Sequence, residues 1–217
     1  NLSRQMAIVG IIACGMVLVI VSGNIDLSVG SLLGMLGGVA AITQVYWGWT
    51  TPVTITMTLL LAVVAGVVHA FLIAYQKVPA FIVTLGGLMA YRGVLIGMTK
   101  GRSITPMRPS FLFLGQCYLP TIVGFVIALV AIALFLLFVL NRRRSRRKLK
   151  LQAEPLAMSV VRVVVFAAVI SGFTLVLNSY RGIPVPVVIM LSVVLVLTFV
   201  SNRTRFGRRL YAIGGNL

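Results

Sequence analysis

Lipid leaves a polypeptide few conformations, and the apolar runs of this sequence are cut to lipid's dimensions. Residues 53–75, 80–99, 119–140, 161–177 and 185–201 meet or approach the length of a membrane-crossing helix, about 20 residues with a range of about 17 to 25. Two shorter apolar runs, 6–21 and 32–45, flank a polar interruption at 23–31. Inside a bilayer every backbone polar group must be satisfied within the chain, which leaves helices or a closed barrel, and runs of this length favour helices. With 60% hydrophobic residues, 10% charged residues and a mean hydropathy of +1.11, an ordinary soluble domain is excluded. The expected fold is all-α, a polytopic integral membrane protein of about six to seven segments with a broken or re-entrant helix at 23–31.

Charge supplies the orientation. Nineteen Lys and Arg stand against two acids, Asp26 and Glu154, for a net charge of +17. Arg142, Arg143, Arg144, Arg146, Arg147, Lys148 and Lys150 form one run, and Arg203, Arg205, Arg208 and Arg209 a second, each directly after an apolar segment. Basic residues in that position mark cytoplasmic flanks near anionic headgroups, so 141–160 is expected to be a basic cytoplasmic loop and 202–217 a cytoplasmic segment. Nucleic acid is not the expected partner, because no aromatic-interleaved surface accompanies the charge. Counting back from these flanks puts the Lys77 turn inside, and Trp47, Trp49 and the 103–118 loop outside. Cys14, Cys117 and a single His offer no disulfide framework and no metal-ligand spacing. Arg4 ahead of an apolar run resembles a signal-peptide start, but the segments that follow exclude export of a soluble domain.

The run Gly23-Asn24-Ile25-Asp26-Leu27-Ser28-Val29-Gly30-Ser31 places an acid where lipid cannot solvate it, and such an acid is a functional-site candidate by default. Residues 6–45 would extend about 60 Å as one helix, twice the hydrocarbon thickness of about 30 Å, so the chain must break there. Asp26 is positioned to cap a helix resuming at Leu27. Arg92 lies inside the 80–99 run, about 18 Å from its inner end, where an isolated guanidinium costs at least ~2.5 kcal/mol. That makes Asp26 and Arg92 a candidate pair. Gly30, Gly34 and Gly38, and likewise Gly93, Gly97 and Gly101, form smooth faces suited to close helix packing. His69, alone in an apolar helix, reads as a hydrogen-bonded packing residue.

The blocks Ile25-Asp26-Leu27-Ser28-Val29-Gly30-Ser31, Val78-Pro79-Ala80-Phe81-Ile82-Val83-Thr84-Leu85-Gly86 with Tyr91-Arg92-Gly93, and Phe206-Gly207-Arg208-Arg209-Leu210-Tyr211-Ala212-Ile213-Gly214-Gly215-Asn216 resemble, in order, those of permease subunits of bacterial monosaccharide ABC importers. The basic insertion at 142–150 and Tyr180-Arg181-Gly182-Ile183-Pro184-Val185-Pro186 are most similar to the D-xylose-type members. The resemblance implies sugar import across the bacterial inner membrane, with ATP hydrolysed by a separate ATPase subunit, sugar delivered by a periplasmic binding protein, and a pathway formed with a second copy of the permease in membrane lipid. No phosphate-cradling loop is present, so the chain is expected to be no enzyme and to bind no cofactor or metal.

On this resemblance Asn24, Asp26, Ser28, Gly30, Ser31, Thr84 and Arg92 are candidates for the translocation path or helix-break motif. Phe206, Gly207, Arg208, Arg209, Gly214, Gly215 and Asn216 are candidates for the ATPase-side coupling region. The likeness covers about the first two-thirds of a family permease, so 1–217 is expected to be a single, incomplete transmembrane permease domain whose coupling region lies beyond it. Two other readings stay open: an ion-gradient-driven secondary transporter, where broken helices and midplane acids also occur, and a non-transporting truncated remnant.

Overall fold

The computed structural model describes residues 2–148 and 155–215, with side chains at 145–148 excepted. Asn216, Lys150, Glu154 and the centre of the expected 141–160 loop lie outside the described residues. Among the described residues there are nine helices and no strand: α1 (Leu2–Val21), α2 (Val29–Val45), α3 (Thr51–Ala74), α4 (Ala80–Thr99), α5 (Pro109–Gln116), α6 (Thr121–Lys148), α7 (Leu156–Asn178), α8 (Val185–Arg203) and α9 (Arg205–Gly214). Six of these, α1, α3, α4, α6, α7 and α8, are long and apolar enough to cross a membrane, and α2 is a shorter apolar helix. The expected all-helical, polytopic architecture is thus present, with α1 and α2 separated by the interruption.

The chain divides into two compact units, residues 1–115 with 189–217, and residues 116–188. In the first, α2 packs along α4 and α3. A Cβ on Gly38 would stand 2.7 Å from Leu95 Cδ1 and one on Gly34 3.1 Å from Leu95 Cδ2, so these glycines let α4 approach. The second glycine set behaves differently from expectation: Gly93, Gly97 and Gly101 have nothing within 4 Å, because α2 meets α4 through Leu95 on another face. Gly10 of α1 receives Met190 of α8, whose Sδ would lie 2.5 Å from an added Cβ. Helix α9 lies on the C-terminal end of α1, where a Cβ on Gly214 would overlap the Val21 carbonyl oxygen.

These contacts gather residues 22–28, the α3–α4 turn and α9 at one end of the first unit. The opposite end holds the α2–α3 turn and the chain after α4, tied by a polar network that starts from the buried Gln44 and Thr51. Gln44 Nε2 donates to Thr51 Oγ1 at 3.3 Å, Thr51 and Ser110 hydroxyls meet at 2.7 Å, the Arg108 N–H donates to Gln44 Oε1 at 3.3 Å, and its guanidinium donates to the Gly48 carbonyl at 2.6 Å. The network docks α5, a helix the sequence reading placed within a loop. Pro109 at its first position needs no donor there, and Ser110 is held from α3. Eight residues are too few for periodicity to reveal such a helix.

In the second unit α6 and α7 pair, with Phe135 and Phe166 stacked at 4.1 Å between ring centroids. Their far ends are closed by a short backbone pairing: Leu119 N–H donates to the Ile183 carbonyl at 2.8 Å and Val185 N–H to the Cys117 carbonyl at 3.0 Å. Gly182 turns the chain into this pairing with φ +96°, and an added Cβ would overlap the Leu119 carbonyl oxygen.

Burial is inverted relative to a soluble protein. The largest fully buried side chains are Thr43, Thr54, Thr84, Pro184 and Ser28, while Leu129, Val176 and Leu195 are each 70% exposed. Small and hydroxylated residues line helix contacts because lipid tails are as apolar as leucine and give no hydrophobic drive to bury it. Gly182→Ala is expected to lower stability by at least about 1–3 kcal/mol, from its positive φ and the overlap with Leu119. Gly172→Ala, in open space within α7, should be neutral or slightly stabilising. Thermal unfolding of both variants in detergent checks the contrast.

Candidate functional site: the helix break and its partners

Helix α1 stops by a local rule. Gly23 N–H donates to the Ile20 carbonyl at 2.9 Å and Asn24 N–H to the Val19 carbonyl at 3.2 Å, with Gly23 at φ +78°. This is the Schellman pattern, in which a left-handed residue just past the helix satisfies its last carbonyls. Asn24 is folded back, its Nδ2 donating to the Ser22 carbonyl at 3.2 Å and to Ser22 Oγ at 3.1 Å. Its amide therefore serves the α1 terminus.

Asp26 stands two residues ahead of the N-cap position it was expected to fill. Helix α2 begins at Val29 with Ser28 at the N-cap, not at Leu27, so Asp26 does not cap it. Instead its Oδ1 accepts from the Ser28 N–H at 2.8 Å and from Ser28 Oγ at 2.7 Å, an Asx turn that fixes the residue from which the helix starts. Ser28 is fully buried, and its carbonyl accepts the first helical bond, from Leu32, at 2.9 Å. The turn is local: the Asp26 acceptor and both Ser28 donors lie within three consecutive residues.

Helices α3 and α4 close over this turn. Thr84 Oγ1, buried in the first turns of α4, donates to the Ile25 carbonyl at 3.3 Å and to the Ala80 carbonyl at 2.9 Å. Gly87, one turn further, faces His69 of α3 and Ser28 together: an added Cβ would lie 2.7 Å from His69 Nε2 and 3.2 Å from Ser28 Cβ. The imidazole is held by the Tyr91 hydroxyl at 3.0 Å across the two helices. Beside this pair a cavity of about 460 Å³ opens between α3 and α4, lined by Leu72, Ile82, Val83 and Gly86 as well as His69 and Tyr91. Apolar walls with a few convergent polar groups are the usual makeup of a small-molecule site.

Asn24, Asp26, Ser28 and Thr84 are thus brought to one place. Gly30 and Ser31 follow on the first turn of α2, where Gly30 has nothing within 4 Å. Arg92 is exposed on α4, and no ion pair joins it to Asp26 among the described residues. Asp26 is instead engaged by Ser28, whose donors lie two residues away. His69 is hydrogen-bonded, as its lone position in an apolar helix suggested. Its partner Tyr91 was not foreseen, although it lies in the same block as Arg92. Of the second candidate group, Phe206, Gly207, Arg208, Arg209 and Gly214 form α9, Gly215 is its C-cap, and Asn216 lies beyond the described residues. The described residues include no cluster of three or more His, Cys, Asp or Glu able to hold a metal.

Residues 1–217 match the protein family described as branched-chain amino acid transport system / permease component. The chain belongs to this permease family. It is 45% identical over its whole length to the xylose transport system permease protein XylH of Haemophilus influenzae, covering 58% of that protein, and 46% identical to XylH of Escherichia coli, covering 55%. A shorter likeness, 37% over 94 residues, links 43% of the chain to 28% of the autoinducer 2 import system permease protein LsrC of Photorhabdus luminescens. The chain therefore spans between half and two-thirds of the length of the XylH relatives it matches. No solved structure matches it significantly.

Asp26→Ala removes the acceptor of two hydrogen bonds and is expected to cost about 1–3 kcal/mol. Asp26→Asn keeps an oxygen for the Ser28 donors and should cost less than about 1 kcal/mol. Thermal unfolding in detergent separates them, and equal losses would show that the carboxylate's charge, and not the turn, is what matters.

Proposed function

We propose that the chain forms the membrane-spanning part of a monosaccharide permease in an ATP-driven importer of the bacterial inner membrane, with D-xylose as cargo. The observation that carries this reading is identity of 45–46% to two xylose permeases along all 217 residues. In this reading the chain hydrolyses no ATP. A separate ATPase subunit supplies the energy, a periplasmic binding protein delivers sugar, and a second permease copy in the surrounding lipid completes the path.

The helix ends support an orientation. Residues 22–28 share one end of the first unit with the α3–α4 turn and α9, and that end carries Lys77, Arg203, Arg205, Arg208 and Arg209. The opposite end carries Arg4, Lys100, Arg102 and Arg108, so the positive-inside rule favours the α9 end by five residues to four, and in this reading that end is cytoplasmic. The Asp26 turn then lies toward the inner mouth of the path, and the aqueous side of α9 is turned to the ATPase. Asp26, Ser28 and Thr84 hold the break in one conformation, and the cavity beside His69 and Tyr91 lies next to it, between α3 and α4. A hinge at the inner mouth is where closure of an ATPase can be converted into access for the sugar.

The test is uptake of radiolabelled xylose by cells that lack their own xylose permease and express the polypeptide containing residues 1–217 with a xylose-importer ATPase and binding protein. Uptake that requires both partners and persists when the proton and sodium gradients are collapsed at maintained ATP is expected. Uptake that vanishes with the gradients and needs no ATPase would overturn the reading in favour of ion coupling. Within an active system, Gly87→Leu should reduce uptake at least tenfold, because its side chain must displace His69 or Ser28.

A further inference from the structure

Helix α9 has three faces set by its sequence. With 3.6 residues per turn, Gly207 and Gly214 fall together on the face pressed to the protein, where added Cβ atoms would overlap the carbonyl oxygens of Ser201 and Val21. Phe206 and Ile213 fall on a neighbouring face and are 57% and 61% exposed. Arg205 and Arg209 border that apolar strip on its other side, whereas Arg208 is turned well away from it. The helix is firmly joined to the end of α8: Thr204 is the single residue between them, its Oγ1 accepting from Gly207 N–H at 3.2 Å and donating to the Val200 carbonyl at 2.5 Å.

Among the described residues no ion pair holds these arginines, and the one acid there, Asp26, is engaged by Ser28. Arg205 also sits in the first turn, where the helix dipole disfavours a cation and favours an anion. Guanidinium groups beside an exposed apolar strip, at the end of a membrane span, match a surface that presents phosphates above acyl chains.

We propose that α9 is an interfacial helix docked on the anionic lipid leaflet in which α8 ends, with Phe206 and Ile213 dipping among acyl chains and Arg205 and Arg209 bound to headgroup phosphates. Arg208 is left on the aqueous side. The surface is independent of the cargo, so its fate and that of the transport reading are separable.

Spin labels at Phe206→Cys, Arg208→Cys and Ile213→Cys, on a Cys14→Ser/Cys117→Ser background, can be read in the full polypeptide reconstituted in vesicles of phosphatidylcholine with phosphatidylglycerol. Labels at 206 and 213 should collide with oxygen and be shielded from an aqueous nickel chelate, and the label at 208 should show the reverse. Native mass spectrometry should find phosphatidylglycerol retention weakened about fivefold for each of Arg205→Gln and Arg209→Gln, and unchanged for Arg208→Gln. The proposal is overturned if 206 and 213 are as open to the chelate as 208, if Arg208→Gln weakens retention equally, or if shielding arises only when an ATPase subunit is added.

Discussion

Lipid supplies no hydrogen bonds, and that deficit governs this molecule. A regular helix meets it without help, so wherever the chain leaves the helix a side chain or a turn must do the work instead. Gly23 closes α1 by folding two donors onto its last carbonyls, Asp26 takes up the Ser28 donors, and Thr84 reaches from α4 to the Ile25 carbonyl. At the other end of the first unit Gln44, Thr51, Ser110 and Arg108 do the same for the α2–α3 turn and α5. At both ends of the first unit, polar side chains thus take up backbone groups that a soluble protein could leave to water.

The same solvent explains what is inside. Threonine and serine can be buried in a helix contact because their hydroxyls return to the carbonyl of the preceding turn, as Thr43, Thr84 and Thr174 do at 2.8–2.9 Å. They are small enough for backbones to come close, and glycine is smaller still, as Gly34 and Gly38 show against Leu95. Leucine and valine can then be spent on the outer faces. Packing of this kind is set by shape and local hydrogen bonds and not by apolar burial.

That physics decides what could be read in the sequence. Long apolar runs announce spanning helices regardless of tertiary contacts, which is why 53–75, 80–99, 119–140, 161–177 and 185–201 correspond to α3, α4, α6, α7 and α8. The break at 23–31 was legible because two apolar runs and an acid cannot share one span. The details were not. Whether Asp26 caps the helix or instead holds Ser28 in a turn depends on two residues of register, and whether Gly93 or Leu95 meets α2 depends on a rotation that composition does not encode. Gln44 carried the clearest missed signal, a polar amide in the last turn of an apolar helix with nothing beside it in sequence to satisfy it.

The candidate site follows from how these constraints fall in one place. An Asx turn is a small device, held by two hydrogen bonds of the same oxygen, each contributing about 1 kcal/mol. Its position is enforced from outside: Thr84 binds the residue before it, Ser28 is buried against Gly87, and Gly87 is kept bare by the His69 ring that Tyr91 holds. Helices α3 and α4 therefore come together over the break at Gly87, where an added methyl group would require the His69 ring to shift. A displacement of α4 relative to α3 would have to move Gly87 past His69 and carry the Ile25 carbonyl with Thr84, so the end of α1 and the start of α2 would shift together. The break couples helix movement to the geometry of its own end of the unit, where α9 also lies.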